Sequence, residues 1–307
     1  MHTSCRMLDG IFPPVPTPFD DRFELATVPL AENIAWWIRQ GVHGIVVLGS
    51  NGEAVHLSDT ERAEVVATAR QALGEGRPLI AGSGALSTRH TIALTAAAAA
   101  EGANAVLVLP PFYYRTQMTD QALLEHFRSV ADSSPVPVVL YNMPRCTGID
   151  LSVDVVSSLA EHENIWGMKD SGGDLVKLAS VRAAVPTSFR LLAGSAGFLL
   201  PALTIGATGG IVALANLAPA ECVALYRFGL DGDVGAAEAL QFAITPLNTA
   251  VTARWGVAAL KAALDILGIY GGPVRPPLLP VEERQREELR KLLVQAGVLL
   301  TGERSQP

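Results

Sequence analysis

The sequence has little lysine, little cysteine and no long apolar run. Its 307 residues include four lysines and three cysteines. Because the cysteines are odd in number and far apart, no disulfide framework or C-x-x-C metal motif is predicted. The apolar run at 93–100 is far shorter than the roughly 20 residues that cross a membrane as a helix. We therefore expect a cytoplasmic protein with reduced thiols.

Positive charge is also scarce. There are 23 Lys and Arg against 30 Asp and Glu, which gives a formal net charge of -7 and a sequence pI near 5.4. This balance gives no sign of a nucleic-acid-binding or membrane-binding surface. The six histidines are scattered, without the i, i+4 spacing of a helical metal site, and no G-x-S-x-G nucleophile elbow occurs. We expect no metal or other cofactor, no nucleic-acid partner and no membrane partner.

What the sequence does have is a series of short apolar runs, each followed by a helical stretch. Several runs, such as GIVVL and VPVVLY, are continuously apolar, which is typical of strands buried on both faces of a parallel sheet. Eight such units, with no G-x-G-x-x-G after any strand, predict an α/β fold of the (β/α)8, or TIM, barrel type. The predicted strands are Gly10–Pro16, Gly44–Leu48, Pro78–Gly82, Ala105–Leu109, Val136–Tyr141, Ile165–Lys169, Phe189–Ala193 and Gly209–Ala213.

The segment after the eighth predicted strand is helical in pattern, with a break rich in glycine and proline at 271–280. We assign its first helix to the barrel, which predicts a catalytic barrel domain over 1–231 and a C-terminal helical extension over 232–307. The helices predicted in this segment are Pro219–Asp231, Val234–Ala253, Val257–Leu267 and Val281–Ala296.

Lys169 differs from the other three lysines, which fall in helical patterns and are expected to be solvated or to pack. It ends the apolar strand IWGMK and is followed by a turn, DSGG. In barrels of this type the carboxyl ends of the strands carry the chemistry. Burial there disfavours an ammonium ion and yields the neutral amine that attacks a carbonyl. The alternative is a lysine paired with a carboxylate at the rim. Asp170 is expected to point away, because side chains alternate along a strand.

Tyr141 ends the preceding strand, so it is expected to lie beside Lys169 and to shuttle protons. The turn GSNG after GIVVL presents Ser50, Asn51 and backbone N–H groups to an anion such as a substrate carboxylate. Ser171, two residues after Lys169, is expected to point towards the inside of the barrel again and is therefore a candidate substrate ligand. The alternatives are that Tyr141 only packs against its neighbours and that GSNG is an ordinary Asn-Gly turn without a ligand.

Together these motifs resemble the dihydrodipicolinate synthase/N-acetylneuraminate lyase family of pyruvate-dependent class I aldolases. The G-x-x-G-E turn, YN-x-P-x-x-TG and the strand-six lysine occur in the family's order, and the similarity runs from GIFPPVPTPF to GGPVRPPL. The resemblance implies a barrel with a C-terminal helical domain, and a homotetramer built as a dimer of dimers.

The resemblance also implies roles for individual residues. Lys169 matches the Schiff-base lysine and Tyr141 the proton-shuttling tyrosine, while the Ser-Asn pair of the turn matches the positions that hold the carboxylate of the 2-oxo acid. Tyr113 matches a tyrosine that reaches across the dimer interface into the neighbouring site. Ile211 matches a residue whose backbone borders the substrate.

Departures from the synthases point to another substrate. The synthases usually have Thr-Thr in place of Ser50-Asn51, and an arginine just before TG where this chain has Cys146. Arg145 stands one position earlier and is expected to point elsewhere. N-acetylneuraminate lyases tend to follow the lysine with Phe-Thr, where this chain has Asp-Ser. The segments GSNGE, YYR, KDSGGD, LAGSAGFL and AVTARWGVAALK are similar to 4-hydroxy-2-oxoglutarate aldolase, and GSNGEAVHL to fungal 3-deoxy-hexulosonate aldolases.

The resemblance therefore favours a lyase that cleaves 4-hydroxy-2-oxoglutarate, a 4-hydroxy-2-oxo acid, to pyruvate and glyoxylate through a Schiff base. Four alternatives stay open. Two share the imine: condensation of pyruvate with an aldehyde, and cleavage or dehydration of a 2-keto-3-deoxy sugar acid. The others are a non-catalytic barrel that binds 2-oxo acids, and a phosphosugar site at the turn 194–197, since this region binds phosphate in other barrels.

Overall fold

The computed structural model describes residues 5–299 of the chain. Eight parallel strands form one sheet in the order β1-β8-β7-β6-β5-β4-β3-β2. A single bridge between Pro14 and Val46 connects β1 to β2 and brings the sheet round to a barrel. The predicted (β/α)8 barrel is confirmed. The strands are β1 Gly10–Phe12, β2 Ile45–Val47, β3 Leu79–Gly82, β4 Ala105–Val108, β5 Val138–Asn142, β6 Ile165–Asp170, β7 Arg190–Ala193 and β8 Gly209–Ile211.

Most strands are shorter than the apolar runs that predicted them. The clearest case is β1, which ends at Phe12 although the run continues to Pro16. Prolines follow at 13, 14 and 16, and because proline has no N–H to donate, the ladder stops there.

Within residues 5–299, twelve α-helices surround and extend the barrel. Ser58 and Glu61 form a capping box at the start of α2, with Ser58 N–H donating to Glu61 Oε2 at 2.7 Å. None of the helices within 5–299 is long and apolar enough to cross a bilayer. Their bounds are α1 Thr27–Arg39, α2 Asp59–Leu73, α3 Thr88–Ala100, α4 Asp120–Ser133, α5 Pro144–Thr147, α6 Val153–Leu159, α7 Leu175–Ala184, α8 Leu199–Ile205, α9 Pro219–Asp231, α10 Val234–Thr249, α11 Gly256–Ile266 and α12 Glu283–Gln295.

Two apolar clusters hold the fold together. The larger lies between the strands and the surrounding helices and includes Trp37, Phe127 and Met168. The smaller fills the inside of the barrel and includes Phe12 and Tyr141. Because side chains alternate along β6, Met168 packs outward and its neighbour Lys169 is placed on the inner side, at the end of the strand.

The C-terminal helices lie against the loops at the carboxyl ends of the strands. The helix predicted at Val234–Ala253 ends at Thr249 and continues as a π-helical turn, Ala250–Arg254. Helix α11 contacts the turn Ser50–Gly52 and the 3-10 turn Ala213–Asn216. The division of the chain at residue 231 stays a prediction.

Candidate active site

Tyr141 and Lys169 are direct partners in the register between β5 and β6. Both are almost fully buried, each with 3% of its surface exposed. The Lys169 Nζ lies 4.0 Å from the centroid of the Tyr141 ring. The predicted neighbours therefore meet at the carboxyl ends of two adjacent strands, which is the end of a barrel where catalytic groups gather.

The turn after β2 brings Ser50 to the same place. Its Oγ lies 3.3 Å from the Tyr141 hydroxyl, within hydrogen-bond distance. A cavity of about 270 Å³ is lined by five of the predicted residues, Lys169, Tyr141, Ser50, Asn51 and Ser171. An amine, a phenol, two hydroxyls and an amide thus face one space that is large enough for a small acid.

Lys169 has no anionic partner. In the part of the chain that the structure describes, no carboxylate lies within 4.0 Å of its Nζ. Asp170 points away, as predicted: its Oδ1 accepts the N–H groups of Gly172 and Gly173, at 2.9 and 3.2 Å. The alternative of a rim lysine paired with a carboxylate is therefore wrong for Lys169.

Asn142 fixes the ends of the two strands that carry Tyr141 and Lys169. Its side-chain amide donates to the carboxylates of Asp170 and Asp150, both at 2.7 Å. Its side-chain oxygen accepts the N–H of Leu151 at 3.0 Å. Because Asn142 is fully buried, these three bonds hold its side chain in place. They thereby also restrain the neighbouring residues at the ends of β5 and β6, Tyr141 and Lys169.

Two predicted residues lie outside this cavity. Tyr113 is 72% exposed, and its ring meets that of Tyr114 edge to face at 5.1 Å between centroids. Ile211 is fully buried inside the barrel, in the same cluster as Tyr141. On that side of the barrel it is Ala213, two residues later, that lines the cavity.

The sequence-based expectation for Arg145 is wrong. Arg145 lies on the short helix α5, directly after β5, and lines the same cavity as Lys169. Its Nη2 donates to the carbonyl oxygen of Ala253 at 2.6 Å. Ala253 and Thr252, in the π-helical turn, also line the cavity. The C-terminal extension thus supplies one wall of the site.

A second cavity of about 310 Å³ adjoins the first and shares Ser50 and Tyr141 with it. Its lining is mainly apolar and includes Arg62 and Cys146. Within residues 5–299, neither cavity is lined by an aspartate or a glutamate, although the chain is acidic overall. Residues 5–299 also contain no group of three or more His, Cys, Asp or Glu side chains that could hold a metal ion.

Lys261 is also buried, which its place in a helical sequence pattern did not indicate. Its Nζ lies 2.6 Å from Glu53 Oε1, and both side chains are 1% exposed. Nζ also donates to the carbonyl oxygen of Pro273 at 2.8 Å. Burial lowers the pKa of Lys261, and the charge of Glu53 partly opposes that effect.

Comparisons with known proteins point to one family. A family model described as the dihydrodipicolinate synthetase family matches residues 7–296. A 4-hydroxy-tetrahydrodipicolinate synthase of Methanoculleus marisnigri is 35% identical over 294 residues, which are 95% of this chain and 100% of that protein. A protein of Emericella nidulans named "Probable 4-hydroxy-2-oxoglutarate aldolase, mitochondrial" is 39% identical over 283 residues, 90% of this chain and 91% of that one.

The fold agrees with solved structures of the same kind. The dihydrodipicolinate synthase of Acinetobacter baumannii, solved in complex with pyruvate, superposes with a TM-score of 0.90 at 32% identity, covering 95% of this chain and 99% of that one. The family model spans nearly the whole chain, and both relatives are more than 30% identical over at least nine-tenths of it. The chain therefore belongs to the dihydrodipicolinate synthetase family and is a class I lyase.

Proposed function

We propose that Lys169 forms a Schiff base with the C2 carbonyl of a 4-hydroxy-2-oxo acid and that the enzyme cleaves this acid to pyruvate and an aldehyde. The favoured substrate is 4-hydroxy-2-oxoglutarate, which yields glyoxylate. The observation that supports the proposal best is the in-register pair of Lys169 and Tyr141 beside Ser50, around a cavity of about 270 Å³.

The reaction follows from these groups. The Lys169 amine attacks C2, and loss of water gives a protonated imine, which accepts electrons. Tyr141, linked to Ser50, takes the proton of the C4 hydroxyl as the C3–C4 bond breaks. The electron pair of that bond moves towards the imine nitrogen and forms an enamine, while the aldehyde leaves. Protonation at C3 and hydrolysis then release pyruvate and restore the amine.

The charges around the cavity favour an acid with a carboxylate at each end. Ser50 and Asn51 face one end and would hold the C1 carboxylate. Arg145 lines the same cavity, and among residues 5–299 one of its five N–H donors is engaged, with Ala253. A guanidinium binds carboxylates in a two-pronged geometry, so Arg145 suits the C5 carboxylate of 4-hydroxy-2-oxoglutarate.

The second candidate is condensation of pyruvate with an aldehyde, as the name of the Methanoculleus relative describes. It uses the same imine and enamine in the opposite direction, so Lys169 and Tyr141 serve it equally well. The position before TG, where the synthases usually carry arginine, is Cys146 here, and it lines the adjoining cavity. This departure and the higher identity to the named aldolase favour cleavage.

We further propose a cytoplasmic homo-oligomer, a dimer of dimers. Tyr113 and Tyr114 are 72% and 64% exposed, which is unusual for two aromatic rings in contact and suits an interface with a second copy of the chain. Phe112, their neighbour, lines the second cavity, so a partner at this surface would lie next to the site. Sedimentation of the wild type and of Tyr113→Ser tests this proposal, which predicts a smaller species for the variant.

Borohydride trapping tests the central proposal. The protein is incubated with pyruvate and borohydride, digested, and its peptides are analysed by mass spectrometry. We expect one reduced adduct, on Lys169, that is lost in Lys169→Ala and kept in the matched variant Lys291→Ala, whose lysine is exposed on α12. An unmodified Lys169 contradicts the proposal. An adduct without cleavage of 4-hydroxy-2-oxoglutarate leaves the imine chemistry standing and refutes the substrate.

A further inference from the structure

The backbone on both sides of the Ser50–Asn51 turn is strained. Between residues 5 and 299, three residues other than glycine have a positive φ: Phe23 at 63°, Leu48 at 58° and Glu53 at 50°. Leu48 and Glu53 lie on either side of the turn. Such conformations cost free energy and persist only where the surrounding structure holds them, and they gather at functional sites.

Glu53 is the residue through which the surroundings hold this turn. Its carboxylate is buried and contacts Lys261 Nζ through Oε1, at 2.6 Å. Its Oε2 accepts the backbone N–H of Arg275 at 2.9 Å and lies 3.3 Å from His56 Nδ1. Lys261 belongs to α11 and Arg275 to the loop that follows it, so both restraints come from the C-terminal extension.

Arg275 connects the third strained residue to the same group. Its guanidinium donates to the carbonyl oxygen of Phe23, at 2.6 Å from Nη2, and pairs with Glu61 on α2, also at 2.6 Å. The guanidinium of Arg275 and the ammonium of Lys261 each lie 4.3 Å from the centroid of the Phe19 ring. Of the three strained residues, Glu53 belongs to this group of charges and Phe23 is bonded to it, while Leu48 lies on the other side of the turn. We call Glu53, Lys261 and Arg275 the buried charge cluster.

Hydrogen bonds of its own backbone and one side chain also restrain the turn. Gly52 N–H donates to the carbonyl oxygen of Gly49 at 3.0 Å. Glu53 N–H donates to the carbonyl oxygen of Ser50 at 3.3 Å, and Thr17 Oγ1 donates to that of Gly52 at 2.7 Å. Ser50 Oγ in turn lies 3.3 Å from the Tyr141 hydroxyl. A change in the conformation of Glu53 therefore moves Ser50 relative to the phenol.

We propose that Glu53 and Lys261 are positioning residues: their buried ion pair fixes the Ser50–Asn51 turn in the conformation that binds the carboxylate of the 2-oxo acid. This inference rests on the proposed function, which assigns the carboxylate to that turn. A buried charge that loses its partner is strongly unfavourable, so removal of either residue forces the segment to rearrange. The turn then no longer presents Ser50 and Asn51 together.

The test separates positioning from stability. The variants are Glu53→Gln, Lys261→Met and Asp132→Asn, the last as a matched control because Asp132 on α4 is exposed and pairs with His162 at 3.0 Å. For each, the pyruvate concentration that half-saturates borohydride trapping is measured together with the maximal rate and the unfolding temperature. We expect half-saturation to rise about 10- to 100-fold in both cluster variants and to stay within about 2-fold in the control.

A double-mutant cycle with Ser50→Ala then asks whether Glu53 acts through the turn. If it does, the effects of Ser50→Ala and Glu53→Gln on half-saturation are not additive, and the double variant is little worse than the worse single variant. Additive effects overturn the inference. So does a lower unfolding temperature with unchanged half-saturation, which is what a purely structural role predicts.

Two further outcomes have defined meanings. If Glu53→Gln does not fold, Lys261→Met decides, because methionine is compatible with the apolar surroundings of the Phe19 ring. A wild type that traps no pyruvate overturns this inference together with the proposed function. A wild type that traps pyruvate, with cluster variants that half-saturate as it does, overturns the inference alone.

Discussion

Lys169 and Lys261 are two buried lysines in closely similar settings. They are 3% and 1% exposed, and each ammonium lies over an aromatic ring, 4.0 Å from Tyr141 and 4.3 Å from Phe19. The difference lies in their partners. Lys261 has a carboxylate and a backbone carbonyl, whereas Lys169 has no carboxylate among residues 5–299 and faces a cavity. Burial and an aromatic neighbour therefore do not identify a nucleophile; an unpaired amine beside open space does.

The largest expected effect is the loss of activity in Lys169→Met. Without the amine no imine forms, so the cleavage rate should fall by at least about 10⁵-fold, while stability changes by less than about 1 kcal/mol because no buried ion pair is broken. Steady-state kinetics and urea unfolding measure the two quantities. If Lys169→Met keeps about a hundredth of the wild-type cleavage rate, the proposed difference between Lys169 and Lys261 is wrong.

Lys261→Ala should do the opposite. Removing the cation leaves Glu53 charged and buried, which should lower the free energy of unfolding by about 3–5 kcal/mol. The exposed pair of Arg254 and Glu288 serves as the reference, since Arg254→Gln should cost less than about 1 kcal/mol. Equal losses in the two variants, measured by urea unfolding, would mean that the buried pair is no more important than a surface pair.

A smaller effect is expected for Arg145→Gln, and only with dicarboxylates. Two probes, 2-oxoglutarate and 2-oxopentanoate, differ only in a distal carboxylate against a methyl group, and each can compete with pyruvate for Lys169. The variant should weaken competition by 2-oxoglutarate about 10- to 100-fold and leave 2-oxopentanoate nearly unchanged, because only the first offers Arg145 a charged partner. Equal changes for both probes contradict the assigned role.

The last effect is confined to low pH and concerns His126, a third buried basic group, which has no carboxylate partner among residues 5–299. Burial lowers its pKa to about 4, so the folded state keeps it neutral. Because the unfolded chain binds the proton below pH 6.5, stability should be full above pH 6.5 and fall as the pH drops towards 4, by at most about 1.4 kcal/mol for each pH unit. His126→Gln should flatten this part of a stability–pH curve from thermal unfolding. An unchanged curve would mean that His126 is not the group that titrates.

The residues that the sequence predicted well are those placed by strand geometry. Lys169, Tyr141 and Ser50 each end or follow an apolar run, and a parallel barrel gathers such positions at one end. Side-chain alternation also predicted that Asp170 points away. These inferences needed only the order and the period of the strands.

The residues that the sequence did not predict depend on packing between distant segments. Lys261 lies in an ordinary helical pattern, and its partner Glu53 is more than 200 residues earlier, so only the folded extension brings them together. Arg145 follows a strand but lies on the short helix α5, where alternation no longer gives the direction of a side chain. The surroundings of Tyr113 depend on the proposed partner chain, which one sequence does not describe.

The π-helical turn that carries Thr252 and Ala253 has a consequence for how such an enzyme diversifies. The strand ends that hold the amine and the phenol come from the middle of the chain, whereas the wall that fixes Arg145 comes from near its end. Substitutions in that late segment can reshape the space for the second reactant without touching Lys169 and Tyr141, the groups that we propose to activate pyruvate. On this proposal, one imine chemistry can serve enzymes that use different aldehydes.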